Sequence, residues 1–138
     1  MNSKLLLRIA AGLLFLHLFL HSIGHNSWQK TNDPIKQGVI NQMVDHKFYF
    51  MGTDRSMGDY FVGYGYIVTI GLGLLTVILW FISNALNESK QLNYKILMTI
   101  TVGLVVWSID EFVFFFPFAA GITLAAAVCT GFAAVKLR

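Results

Sequence analysis

Apolar blocks of about twenty residues alternate along this chain with short polar stretches, the length needed to cross a bilayer as a helix. Four blocks read this way, at about 5–25, 59–83, 96–116 and 118–135. The third ends at Pro117 and the fourth begins at once, so spans three and four are expected to form a helical hairpin. Residues 26–58 are polar with interspersed aromatics and form the long connection between spans one and two. Within it Asp33-Pro34 reads as an N-cap followed by proline at the first helical position. Ile35, Val39, Ile40, Met43 and Val44 then recur at helical spacing, which predicts a short amphipathic helix over about 34–47, on the membrane surface or over the bundle. Phe48, Tyr49, Phe50 and Met51 are expected to plug this segment back against the spans, with Gly52 and Gly58 permitting turns. Ser56 and Asp59 match a capping box at the start of span two, and residues 84–95 read as a polar turn. In span two Gly63, Gly65, Gly71 and Gly73 leave the helix surface bare, which favours close approach of a neighbour. The expectation is an all-α, integral membrane four-helix bundle with a short amphipathic helix in its first outer loop, a single domain over residues 1–138.

Composition sharpens this picture. The chain is 56% hydrophobic and only 12% charged, about half the charged share of a soluble domain. Net charge is +3, and the basic residues cluster at segment ends as membrane anchors do, so no nucleic-acid partner is expected. In a four-span layout Lys4, Arg8, Lys90, Lys95, Lys136 and Arg138 fall on one side. Lys30, Lys36, Lys47 and Arg55 fall on the other, offset by Asp33, Asp45, Asp54 and Asp59. Positive-inside bias then puts both termini in the cytoplasm. The leading block follows Lys4 and Arg8 and has a signal-peptide layout, with Ser22 and Gly24 suited to cleavage. His17 and His21 interrupt its apolar core, and it is taken as a retained span. Cys129 is the single cysteine, which excludes an intrachain disulfide, and no CxxC or Cys/His zinc pattern occurs.

Two clusters carry candidate chemistry. His17, His21 and His25 repeat every fourth residue and so form a polar stripe on span one. Such groups are costly in lipid and must face protein or a wet cavity. Asp110 and Glu111 interrupt the apolar run of span three. By three-and-four spacing Trp107, Asp110, Glu111 and Phe114 share a face that also carries Gly103, the face expected to turn inward. Orientation brings His21, His25, Arg55, Asp59, Asp110, Glu111 and His46 towards one outward-facing cavity. In the functional reading His21, Asp110, Glu111 and Asp59 transfer protons, while Arg55 anchors an anion and Trp107, Tyr64 and His46 line the ligand. His17, His21 and His25 are the metal candidates, since histidines four apart with a carboxylate from another helix suit a transition metal. Each residue also has a plain role. The histidines serve as interhelical hydrogen bonders or interfacial anchors, His46 as a helix C-terminal residue, Asp59 as a cap, and Arg55 and Tyr64 as interface anchors alongside Tyr60, Tyr66, Trp28 and Trp80.

The run HLFLHSIGH, followed downstream by FYFMGTDRSMGDYFVGYG, resembles a group of small bacterial membrane proteins with four predicted spans and no assigned function. The resemblance rests on His21, Gly24, His25, Met51, Gly52, Arg55, Ser56, Asp59, Gly63 and Gly65, roughly the first half of the chain. It implies a four-span architecture in a bacterial inner membrane and points to these positions, and it brings no reaction. In span count the chain is also similar to DoxX-type four-span proteins.

These features frame the functional alternatives. One is a membrane-embedded His/carboxylate site for a metal or a small lipophilic ligand, with proton transfer or metal-dependent redox chemistry. Another is an accessory or structural subunit whose polar residues only hold helices together, with a second copy or another membrane chain as partner. Haem takes axial ligands from opposite sides of its ring; all the membrane histidines lie on span one, so one chain alone does not supply the pair, whereas a symmetric dimer could. A proton or ion relay is disfavoured because the cytoplasmic halves of the spans offer only Thr76, Thr99, Thr101 and Ser108 as polar steps.

Overall fold

The structure, a computed structural model, describes residues 2–138. In chain order it contains α1 (Ser3–Ser27), α2 (Pro34–Asp45), β1 (Lys47–Phe50), β2 (Thr53–Ser56), α3 (Met57–Asn84), α4 (Lys90–Phe114) and α5 (Pro117–Val135). Helices α1, α3, α4 and α5 are each long and apolar enough to cross a membrane, which makes this an all-α integral membrane protein with one small hairpin. The chain divides into two compact units. One takes the chain up to Leu18 together with Leu72–Arg138, and the other is Phe19–Gly71.

The first unit is a four-helix bundle. Leu7 and Leu14 of α1, Leu72 and Leu79 of α3, and Leu97 and Leu104 of α4 are all fully buried. Each pair lies two helical turns apart, so each helix presents one leucine face to a shared core. The fourth wall is α5, where Ala126, Ala127, Ala133 and Ala134 are buried. Small residues let backbones approach closely where packing, not water exclusion, must hold helices together. Gly131 shows how closely, since a Cβ there would meet Thr101 Cγ2 at 3.1 Å. Val102, Val106, Ile109, Leu124 and Phe132 point outward, as lipid-facing residues do.

Two connections in this unit differ from or refine the hydropathy pattern. The polar turn expected over 84–95 is shorter, because α4 already begins at Lys90. The buried Asn93 side chain ties this turn down, its Nδ2 donating at 2.9 Å to the Ala85 carbonyl, which also accepts from the Glu88 amide. Phe115 and Phe116 alone connect α4 to α5, with Pro117 at the first position of α5. Ser108 Oγ donates to the Ala120 carbonyl at 2.9 Å across this hairpin.

In the second unit Asp33 caps α2, its carboxylate accepting from the Ile35 and Lys36 amides. Ile40 is the buried residue of α2, while Ile35 and Val39 of the same apolar set are exposed. Its last turn lies on the start of α3, where a Cβ at Gly58 would meet Val44 Cγ2 at 3.1 Å. The aromatic run after α2 meets α3 through Phe48, which stacks on Tyr60. It forms an antiparallel hairpin, with Lys47 paired to Ser56, Phe48 to Arg55, Tyr49 to Asp54 and Phe50 to Thr53. Tyr49, Phe50 and Met51 are exposed. Met51 and Gly52 both have positive φ, +47° and +88°, the conformation of a type I′ hairpin turn. A β-branched residue at Gly52 has no low-energy form there. Gly52→Val is therefore expected to loosen the hairpin by about 1–2 kcal/mol, seen as faster amide exchange over Lys47–Ser56 with α2 unchanged.

Candidate functional site

Span-one histidines divide between the two units. His17 belongs to the first, and His21 and His25 belong to the second.

In the first unit His17, Glu111 and Thr123 meet. They come from α1, α4 and α5, and all three are buried. His17 Nε2 stands 3.4 Å from Glu111 Oε1. Its other ring nitrogen, Nδ1, lies 3.1 Å from Thr123 Oγ1. Thr123 and Trp107 are polar neighbours of the Glu111 carboxylate, and Asp110 adds like charge nearby. Glu111 Oε2 is buried and has no hydrogen-bond partner among the described residues. A hydroxyl either donates or accepts, so Thr123 can hold His17 in either tautomer. When Thr123 donates to Nδ1, the proton sits on Nε2 and faces the carboxylate.

The face of α4 that turns inward is not the expected one. Leu97, Leu104, Ser108 and Glu111 are buried. Asp110, Phe114 and Gly103 are exposed, and Trp107 is half-buried. Adjacent helical residues diverge by about 100°, so one of the two acids had to leave the core face. Glu111 stays because it is seven residues beyond Leu104, on the leucine stripe.

In the second unit His21 and His25 both converge on Gly65 of α3. His21 Nε2 lies 3.0 Å from the Gly65 carbonyl. A carbonyl only accepts, so this nitrogen carries hydrogen and Nδ1 is the one left for an acceptor role or a second proton. The buried His25 ring lies directly over Gly65, where an added Cβ would collide with it. The two imidazoles are nearly parallel, with centroids 5.8 Å apart. Tyr66 meets His25 edge-on at 5.1 Å, and Trp28 packs on Phe61 beside it. The glycine stripe of α3 is thus not one uniform contact face. Gly65 accommodates an imidazole, whereas a Cβ at Gly63 would meet nothing within 4 Å.

The remaining candidates lie elsewhere. Asp59 reciprocates with Ser56: its carboxylate accepts from the Ser56 amide at 2.9 Å and the Ser56 hydroxyl accepts from the Asp59 amide at 3.1 Å. That is a capping box. Arg55 is exposed on β2, its Nη1 donating to the Asp54 carbonyl at 3.0 Å. His46 is exposed as the C-cap of α2, its amide donating to the Gln42 carbonyl. Tyr64 is exposed. Among the described residues no group of three or more His, Cys, Asp or Glu side chains is placed to share a metal ion.

Sequence reasoning passed over Thr123, and the reason is physical. Threonines in apolar helices usually bond their own preceding turn. Thr69, Thr76, Thr99, Thr101 and Thr130 all do so, each donating to the carbonyl four residues earlier. Thr123 instead turns to His17, and nothing in its spacing separates it from the others.

Comparison of this chain with protein-family models, with curated proteins and with solved structures finds no match.

Proposed function

We propose that the His17–Glu111 pair is a membrane-embedded proton-exchanging site that takes a small lipophilic ligand bearing a hydrogen-bond donor. The observation that carries this reading is the buried Glu111 Oε2, which has no hydrogen-bond partner among the described residues. Buried carboxylate oxygens are nearly always satisfied, and one that is not is a receptor for a donor group or a proton. Imidazole and carboxylate at 3.4 Å can pass a proton with little motion, and Thr123 holds the imidazole in register. The chemistry this arrangement supports is proton transfer to or from a ligand at Oε2. The topology that accompanies the reading places both termini in the cytoplasm of a bacterial inner membrane, from the basic residues at Lys4, Arg8, Lys90, Lys95, Lys136 and Arg138.

A second reading has its own support. His17 to Thr123, Ser108 to the Ala120 carbonyl and His21 to the Gly65 carbonyl are all side-chain bridges between helices. An accessory or structural subunit would need nothing more.

One experiment separates the two. The protein purified into lipid nanodiscs is extracted and analysed by mass spectrometry, with elemental analysis of the same sample. A stoichiometric lipophilic compound is expected in wild type and absent from a folded His17→Leu/Glu111→Leu variant. The compound persisting in that variant, or none in wild type with another membrane chain co-purifying, would overturn the proposal. A stoichiometric transition metal lost with the pair would move the chemistry to redox.

A further inference from the structure

We propose that the Lys47–Ser56 hairpin is a lipid-interface element. Its Phe48–Phe50 face and Met51 tip seat at the boundary of headgroups and acyl chains, and Arg55 sits on lipid phosphate.

The hairpin is joined to a membrane span without a linker, since β2 ends at Ser56 and α3 begins at Met57. Phe48 stacks on Tyr60 in the first turn of α3, with centroids 6.0 Å apart and ring planes 10° from parallel. Residues two apart on a strand share a face, so Phe50 continues the line that Tyr60 and Phe48 begin. Pairing places Arg55 opposite Phe48 on that same face. Along α3 the exposed apolar residues Met57, Phe61 and Tyr64 follow at helical spacing. The aromatic surface therefore runs from the lipid-facing side of a span onto the hairpin without a break. Aromatic residues with basic neighbours at the end of a span are the composition of the bilayer interface.

The tip itself argues the same way. Its first turn residue has positive φ, a position that favours Asn, Asp or Gly. Met51 occupies it and is 86% exposed. Turn geometry gives no reason for a long apolar side chain there, whereas contact with acyl chains does. Arg55 is exposed and, among the described residues, its Nη1 donates to the adjacent Asp54 carbonyl, which leaves the guanidinium able to meet phosphate.

The test uses site-directed nitroxides in a Cys129→Ser background, reconstituted in phosphatidylcholine vesicles containing phosphatidylglycerol. Labels go at Phe50→Cys and Met51→Cys, with Asn32→Cys, in the exposed loop before α2, as the reference. At 50 and 51 collisions with oxygen are expected to exceed those with a water-soluble nickel chelate severalfold relative to position 32. Adding Arg55→Gln is expected to shift the label at 50 towards the chelate. Chelate-dominated collisions at 50 and 51 would overturn the proposal in favour of a tip in water. Protection from both reagents would overturn it in favour of a protein cover, such as a second copy.

Discussion

Replacing Glu111 by alanine is expected to be the most damaging single change in the four-helix unit. It takes from the buried His17 the carboxylate whose Oε1 stands 3.4 Å from its Nε2. Removing one member of a buried pair costs about 3–5 kcal/mol, because the remaining group keeps its desolvation penalty and loses its partner. His17→Ala is expected to cost a similar amount, since it leaves a buried carboxylate with one oxygen already unpaired among the described residues. Denaturant titration of the purified protein in detergent micelles, followed by circular dichroism, checks both. Glu111→Leu combined with His17→Leu removes both desolvated groups and fills the space with apolar atoms, so the double variant is expected to recover most of the loss. A double variant whose loss equals the sum of the two single losses would mean that the pair has no mutual coupling. The same variant links stability to function, because a chain that folds without the pair shows what the pair is for.

The second large effect is expected at Gly65. A valine there forces the His25 ring from its place over the helix backbone. The adjoining bond from His21 to the Gly65 carbonyl would be strained with it. Overpacking of this kind costs about 1–3 kcal/mol, and Gly65→Ala is expected to cost less than Gly65→Val. Pairing Gly65→Ala with His25→Ala should relieve the alanine variant, because the colliding ring is gone. Thermal unfolding of the set in micelles gives the order, and histidine ring resonances show whether His25 has moved. Full stability of Gly65→Val would show that the imidazole can leave at no cost.

Much of the architecture was legible along the chain because membrane helices announce themselves by length and apolarity. The four long helices are of this kind, and Asp33-Pro34 and Ser56 with Asp59 marked helix starts through local hydrogen bonds that need no tertiary partner. The hairpin was less legible. Four aromatic and apolar residues before a glycine fit several local forms, and only a Met51-Gly52 turn with both φ values positive selects paired strands. At the candidate site, spacing identified the polar residues that membrane insertion makes expensive, and three of them, His17, His25 and Glu111, are buried. Spacing could not say which would meet, since every residue of an apolar helix has a similar claim on the core.

By itself, the sequence determined that this chain is a set of membrane helices carrying histidines and adjacent acids that lipid cannot accept, because those properties follow from composition and helical period. The tertiary structure alone decided that Glu111 and not Asp110 enters the core, that His17 pairs with it, and that Thr123 completes the set. It also decided that His21 and His25 are taken up by Gly65. A helix turns 100° per residue, so a one-residue difference in which stripe packs inward exchanges one acid for its neighbour. That choice is made by the leucines of the facing helices and leaves no mark in the spacing of the acids themselves.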